Sequence, residues 1–510
     1  MGEQGWKRIS AVLKYVSVVV AALYLGAYVG IALLRIRYPY AIEWLEGLIL
    51  DTISRSALGH KIFQEPSVDF VPHVYTPLYY YVSAQVSKVF GFTFLSARSV
   101  SFVSSLGCFG TIYMLVKKET HNSLCAFLSC CLFAATFKAS STWFDTAKPD
   151  SLFLFLVLLA VLLMRQKGSW IKVLSSGLLM ALAYLCKQTA LVISLPMMFY
   201  FVLCGWRRFL LFAGATLGGI ALSQVGLDWY YDGWYSYYTW DMPNRMAIFF
   251  PKQFIKFWTY DLLQVLPVAC IAAVCYALFF VKDRSTGKES DFFFCFIALG
   301  MVAGACSSRS YGSNANALLP AYAALSILCG IAADRVCTMS ESMPAPLGSK
   351  MLSFVYVLWL MQFASLAYDP ARFVPTNADL VAGQKIVREL AEIRGDTYIP
   401  DHSYLSVLAG KKGHVSGFAL FLMTHYGTAP VSDELVRQVK GAIRHQRFAA
   451  IVTDGSLSVG EAELNEFYER EKPVFDNEEV FWPVSEFKMR PRWIYIPRSR
   501  SRHDPTSGNH

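Results

Sequence analysis

The sequence predicts an all-α polytopic membrane domain over residues 1–368, a small extracytoplasmic α/β domain over 369–498 and a disordered tail over 499–510. Three observations predict it. Hydrophobic residues make up 55% of the 510 and charged residues only 16%, where a soluble domain carries about a quarter charged. From residue 9 to about residue 368 the apolar residues gather in nearly uncharged runs, of roughly the 20 residues that cross a ~30 Å hydrocarbon core. Beyond 369 the pattern changes to short apolar stretches ending in acids, alternating with amphipathic periods.

The runs fall at 11–34, 99–116, 123–139, 151–164, 173–186, 188–204, 209–227, 262–281, 292–308, 315–333 and 351–368, about 11 transmembrane helices. The first lacks a small-residue cleavage site after a short apolar core, so it reads as a retained helix. Basic residues occupy every second loop: Lys7/Arg8, Lys117/Lys118, Arg165/Lys167/Lys172, Arg207/Arg208, Lys282/Arg284/Lys288 and Arg335/Lys350. The positive-inside rule makes those loops cytoplasmic and accounts for the formal charge of +9 without nucleic acid. The segment 73–98, with three consecutive tyrosines, Gln85 and Lys88, reads as an interfacial helix, which keeps the basic loops on one side. The stretches 35–98, 140–150, 228–261, 309–314 and the part from 369 then face outward. None of the 12 cysteines lies after Cys337, and none has metal-site spacing.

In the C-terminal part, "GDTYIPD" (395–401) and "RFAAIVTDG" (447–455) read as short buried strands. "DLVAGQKIVRELAEI" (379–393) and "SDELVRQVKGAIRHQ" (432–446) read as amphipathic helices, the second capped by Ser432 or Asp433.

The outward face carries the chemistry. In "YPYAIEWLEGLILDTIS" (38–54), Glu43 and Glu46 fall on a different helical face from Leu45, Leu48 and Ile49, so an interfacial helix would turn carboxylates toward a cavity. Their plainer reading is as headgroup-level charges or partners of Arg35 and Arg37. In "FDTAKPDSL" (144–152), Thr146 can cap and Pro149 suits the first helical turn. Asp150 then complements a positive helix end, with Asp145 just before it. "LAYLCKQTA" (182–190) sets Lys187 between two apolar runs, in a polar cavity or snorkelling to the boundary, because a mid-bilayer lysine costs about 3 kcal/mol. "SSRSYGSNANALLP" (307–320) clusters Arg309, Tyr311, Gly312, Asn314 and Asn316 in a turn suited to an anion, or simply in a loop. The loop 228–258 is dense in Trp and Tyr, which stack on sugars and anchor in headgroups, and adds Arg245, Lys252 and Lys256. No P-loop, Rossmann fingerprint or HExxH occurs, and the cytoplasmic loops offer few carboxylates.

The order of these motifs, an acidic segment after the first span, "YTPLYYYVSA", "SAR", "KPDSL", "YLCKQTA" and a Gly/Asn turn running into "NALLP", resembles the GT-C membrane glycosyltransferases, specifically the bacterial relatives of the protein O-mannosyltransferases and the lipid A aminoarabinose transferase. The resemblance covers about residues 10–370. It implies a GT-C fold, a polyprenyl-phosphate sugar donor and catalysis on the extracytoplasmic face. The family's Asp-Glu pair, one member of which is a general base, is here Glu-Trp-Leu-Glu. The pair aligns best around Glu46, and Gly47 beside it leaves room for an acceptor, so Glu46 is the favoured base, Glu43 the second and Asp150, which matches the family's second acid, a supporting group. The family's basic residue before a span matches Lys187.

The chemistry agrees with the resemblance. A lipid phosphate is a good leaving group, so transfer calls for a carboxylate to take the acceptor's proton and cations to receive the phosphate. Direct displacement of this kind inverts the anomeric centre. Lys187, Arg245, Lys252 and Arg309 are the expected donor-phosphate ligands, and Asp145, Tyr311, Asn314 and Asn316 the expected substrate-binding groups. No cofactor is called for, and a divalent cation at the carboxylates stays open. Expected partners are the polyprenyl-phosphate sugar, the lipid bilayer of the inner (plasma) membrane and a lipid, glycan or protein acceptor. A transporter or flippase of lipid-linked sugars is the alternative; it predicts mid-span charges and matched halves, and neither is evident.

Overall fold

The computed structural model describes residues 3–165, 169–280, 288–344, 346–485 and 487–498; Lys167, Lys282, Arg284 and the tail 499–510 lie outside them. Its first nine helices are α1 (Glu3–Arg35), α2 (Glu46–Ala57), α3 (Leu78–Phe90), α4 (Phe94–Thr120), α5 (Ser123–Ala135), α6 (Asp150–Met164), α7 (Trp170–Tyr184), α8 (Ala190–Cys204) and α9 (Trp206–Tyr230). Each predicted apolar run overlaps a helix, with 262–281 crossing the break between two.

Among the described residues six helices are long and apolar enough to cross a membrane: α1, α4, α9 and those at Ser290–Ser310, Ala315–Glu341 and Leu347–Ser365. The pair Pro251–Gln264 and Pro267–Leu278 would make a seventh span, bent by 96°. Pro267 supplies the break, because proline has no N–H to continue the preceding helix. Helices α5 to α8 are apolar but shorter, at 13 to 15 residues. The chain is a multi-pass membrane protein. The helix Ala315–Glu341 runs through its middle, 94% buried over its most apolar window, and its small residues Ala321, Ala323, Ala324 and Gly330 let neighbouring backbones approach closely.

Several of the loops expected to be cytoplasmic meet at one end. Arg165 pairs with Glu119 at 2.6 Å, Asn122 donates to Asp334 at 2.9 Å, and Arg335 lies 3.4 Å from Asp291. At the opposite end α2 and α3, of 12 and 13 residues, lie outside the set of long apolar helices. They form a second apolar core jointly with the C-terminal part: Leu45, Ile49, Ile53 and Tyr79 belong to the same buried cluster as Leu390, Tyr404, Leu420 and Ile451.

The C-terminal part holds a four-stranded sheet in the order β1-β2-β4-β3. β1 (Thr397–Tyr398) runs parallel to β2 (Ala450–Thr453), and β4 (Trp493–Pro497) is antiparallel to β2 and to β3 (Tyr468–Pro473). β1 and β2 are the two predicted strands; β3 and β4 were not predicted. The predicted cap at Ser432 or Asp433 is overturned. The helix runs Ala429–Arg444 with Thr428 in the cap position, because Pro430 is pre-shaped for a first turn and carries the start upstream.

Candidate active site

Where α1 leaves the bundle, Arg35 is fully buried. Its Nε donates to Asp145 Oδ2 at 2.8 Å and its Nη2 to the Thr142 carbonyl at 2.9 Å. Asp145 is thus the partner of Arg35 and ties the loop 140–149 to the end of α1. Glu43 and Glu46 do not pair with Arg35.

Glu46, the first residue of α2, is held on all sides. It accepts from Arg98 Nε at 3.0 Å and Nη2 at 2.6 Å, from Ile42 N at 2.8 Å and from Ala147 N at 2.7 Å. Arg98 also donates to the Tyr38 and Tyr40 carbonyls at 2.6 and 2.7 Å. Burial alone raises the carboxyl's pKa, but Arg98 and the two backbone N–H groups outweigh it and hold it below the usual glutamate range. Gly47 beside it leaves room for the C-terminal domain rather than for an acceptor: an added Cβ would meet the Tyr404 ring at 2.5 Å.

Glu43 is as buried but less bound. Its Oε2 accepts from Leu45 N at 2.9 Å and lies 2.9 Å from Lys148 Nζ, while Oε1 has no partner. Burial pushes its pKa up to about 7 against the pull of Lys148. Burial likewise lowers the pKa of Lys148, against Glu43 and Asp150, and its Nζ sits 3.3 Å from the centre of the Trp143 ring.

Asp150 opens α6. Its Oδ1 accepts from Lys187 Nζ at 2.7 Å and Asn316 Nδ2 at 2.8 Å, and its Oδ2 has no partner. Pro149 sits just before the helix and Thr146 Oγ1 makes no hydrogen bond, so the expected Thr146 cap is absent and Asp150 itself occupies the positive end. His73, stacked on Tyr75 with ring centres 4.4 Å apart, has both ring nitrogens buried and unpartnered. Burial, reinforced by Lys148, pushes its pKa down to about 3, so it is neutral at pH 7. Native interiors leave few buried polar atoms unpaired; here they collect around Glu43, Thr146, Asp150 and His73, as in a site built to meet a polar substrate.

A cavity of about 790 Å³ at the same end is lined by Lys138, Lys256, Arg309, Arg372 and Lys488. Arg309 Nε donates to Asp261 Oδ2 at 2.7 Å in its wall. Its lining also includes Ala315, adjacent in sequence to the Asp150 partner Asn316, and Ser485, whose N–H donates to the Ile42 carbonyl at 3.2 Å, one residue from Glu43. Of the four expected phosphate ligands, only Arg309 lines this cavity. Lys187 stands with Asp150, and Arg245 and Lys252 are exposed on the outer surface. Tyr311 lines a separate groove of about 360 Å³ with Phe249, Phe254 and Trp258. Asn314 precedes the 3-10 turn Ala315–Leu318 without capping it.

Sequence reasoning missed Lys148, Arg98 and His73 as site groups. Lys148 was legible as the cation between the acids of "DTAKPD"; Arg98 sits in the quoted "SAR" with nothing local to tie it to Glu46, and the lone His73 carries no signal. Among the described residues no three His, Cys, Asp or Glu side chains come together as metal ligands. Glu43 and Glu46 are each neutralised by a cation, so they do not fit a divalent ion.

Known proteins supply the frame. Residues 72–227 match the family model described as dolichyl-phosphate-mannose-protein mannosyltransferase. The chain superposes on ArnT from Cupriavidus metallidurans bound to undecaprenyl phosphate with a TM-score of 0.59, at 12% identity, over 94% of this chain and 98% of that one. The apo form of ArnT gives 0.57 at 13% identity, over 93% and 97%. The chain shares the fold of these ArnT structures. The segment matched by the family model carries Lys148, Asp150 and Lys187, and the fold likeness extends to the C-terminal sheet. No curated protein sequence matches the chain.

Proposed function

We propose that this chain is a GT-C-type glycosyltransferase that moves a sugar from a polyprenyl-phosphate donor to a hydroxyl of a lipid, glycan or protein acceptor, on the extracytoplasmic face of the inner membrane and with inversion. Glu43 is the general base. The single observation that carries this reading is its buried carboxylate, with one unpartnered oxygen and a pKa of about 7, the range in which a base both exists unprotonated and accepts a proton readily. Glu46, committed to Arg98 and two backbone N–H groups, has no such freedom and acts as a scaffold.

In the proposed step the acceptor hydroxyl loses its proton to Glu43 Oε1 while its oxygen attacks the anomeric carbon. The bond from that carbon to the phosphate oxygen breaks, and its electron pair leaves with the phosphate. Lys148 keeps the carboxylate ionised near neutral pH. The cation-lined cavity containing Arg309 receives the departing lipid phosphate. Lys187 and Asn316 hold Asp150 ready for a sugar hydroxyl at its free Oδ2. The undecaprenyl phosphate in the ArnT complex supports a donor of this class. Residues 369–498 act as an extracytoplasmic domain closing over the site.

The test is transfer in proteoliposomes supplied with polyprenyl-phosphate sugars and an envelope extract, read by mass spectrometry beside the glycolipids and glycoproteins of a deletion strain. The reading expects glycosylated product that the deletion strain lacks. Donor consumption without product, or equal product in the deletion strain, would sink it.

A further inference from the structure

Trp44 follows Glu43 in sequence but faces elsewhere. It lines a second, smaller cavity of about 240 Å³ between the 38–46 segment and the C-terminal part, together with Asp401, Phe418, Phe421, Ser456 and Ser458. The Trp44 and Phe418 rings stand edge to face, 4.7 Å apart at 84°, and Trp44 Nε1 is buried with no hydrogen-bond partner. Phe421 keeps an exposed ring, 36% accessible. The Asp401 carboxylate makes no side-chain hydrogen bond among the described residues, although it lies directly over the backbone of Gly417. An added Cβ at Gly417 would stand 2.5 Å from Asp401 Oδ1, so glycine there keeps the carboxylate in place. The neighbouring Asp454 is occupied by His402 Nε2 at 2.9 Å, which leaves Asp401 as the uncommitted acid.

The lining has no Lys or Arg, so a phosphate is not what it fits. Aromatic rings, one acceptor-only carboxylate, two serine hydroxyls and an indole N–H are the groups that hold a polyol: ring faces cover its C–H surface and the oxygens pair with its hydroxyls. At about 240 Å³ the cavity falls below the roughly 300–1,000 Å³ of drug-sized pockets, which suits one ring rather than an oligosaccharide. We propose that this cavity docks a pyranose ring of the acceptor, with Trp44 as the element shared between acceptor docking and the base beside it. The inference rests on the reading of Glu43 given above and names the acceptor's chemistry. Burial and Asp454 raise the Asp401 pKa to about 6, so the carboxylate is mostly ionised, and acceptor-only, at pH 7.

The experiment is saturation-transfer NMR on the full-length protein in a non-glycosidic detergent, with methyl mannoside, methyl galactoside and methyl N-acetylglucosaminide as probes. Saturation of at least one glycoside is expected in the wild type and in Glu43→Gln, and its loss in both Asp401→Asn and Phe421→Ala. Phe421 is at the surface, so its variant reports binding rather than folding. Absence of signal in the wild type, or signal of equal strength in both pocket variants, overturns the proposal. Failure of the Glu43 reading shows differently: Glu43→Gln would then retain sugar transfer while the glycoside signals stay as in the wild type.

Discussion

Glu43 and Glu46 stand three residues apart, equally buried, and their cations set them apart. Arg98 grips Glu46 through two nitrogens while two backbone N–H groups donate to the same carboxylate; Lys148 meets Glu43 at one oxygen only. Burial therefore wins at Glu43 and loses at Glu46. Only the ionised form of Glu43 accepts a proton, so transfer should fall as pH drops through about 7 and level off above it; a rate profile between pH 5 and 9 at saturating donor checks this. Arg98→Ala would strand Glu46 as a buried unpaired charge, a loss on the order of 3–5 kcal/mol. The expected result is a large drop in melting temperature or no folded protein, visible by size-exclusion and thermal scanning. The acids were legible in the sequence because carboxylates beside a membrane span are costly. Their ranking was not, because it depends on Arg98, some fifty residues away, and on backbone N–H groups that only the fold brings in.

At the scale of elements, α2 packs the membrane bundle against the C-terminal part. Tyr404 packs on Gly47, and Ser403 donates to Asp51. Burial raises the Asp51 pKa from the ordinary aspartate value to about 7. The folded state thus holds this proton more tightly than the unfolded state, and ionisation costs stability progressively from about pH 4 up to about 7. Asp51→Asn removes that cost while keeping a partner for Ser403. Its melting temperature should exceed the wild type's by more at pH 8 than at pH 5, and an equal or reversed difference would contradict the assignment. Helices and the strands β1 and β2 were readable from period and hydrophobicity. β3 was not, since "YEREKP" is an exposed, charged strand that pairs only because β4 lies beside it. The early start at Ala429 shows Pro430 outranking two good capping residues.

Over the whole molecule, alternating basic loops predicted two chemically unequal ends, and the structure joins the loops around Glu119, Arg165, Asp291 and Arg335 at one of them. In a background with the 12 native cysteines replaced, an impermeant thiol reagent on right-side-out vesicles should label Asn244→Cys and Arg437→Cys and leave His121→Cys unmodified. Labelling confined to His121→Cys would invert the assignment. The placing of the 38–46 segment between the cation-lined cavity and the C-terminal pocket was not readable from the sequence, because it depends on contacts such as Ser485 N–H to the Ile42 carbonyl and Trp44 on Phe418 that only the fold makes. The most direct test of the central claim compares Glu43→Gln with Glu46→Gln in sugar transfer from a polyprenyl-phosphate donor, with donor binding and folding followed separately. Glu43→Gln should remain folded, bind donor and lose about 10²–10⁴-fold in turnover, while Glu46→Gln should lose stability first and retain turnover in whatever fraction folds. Near-normal transfer by Glu43→Gln, with turnover abolished in well-folded Glu46→Gln, would contradict the account.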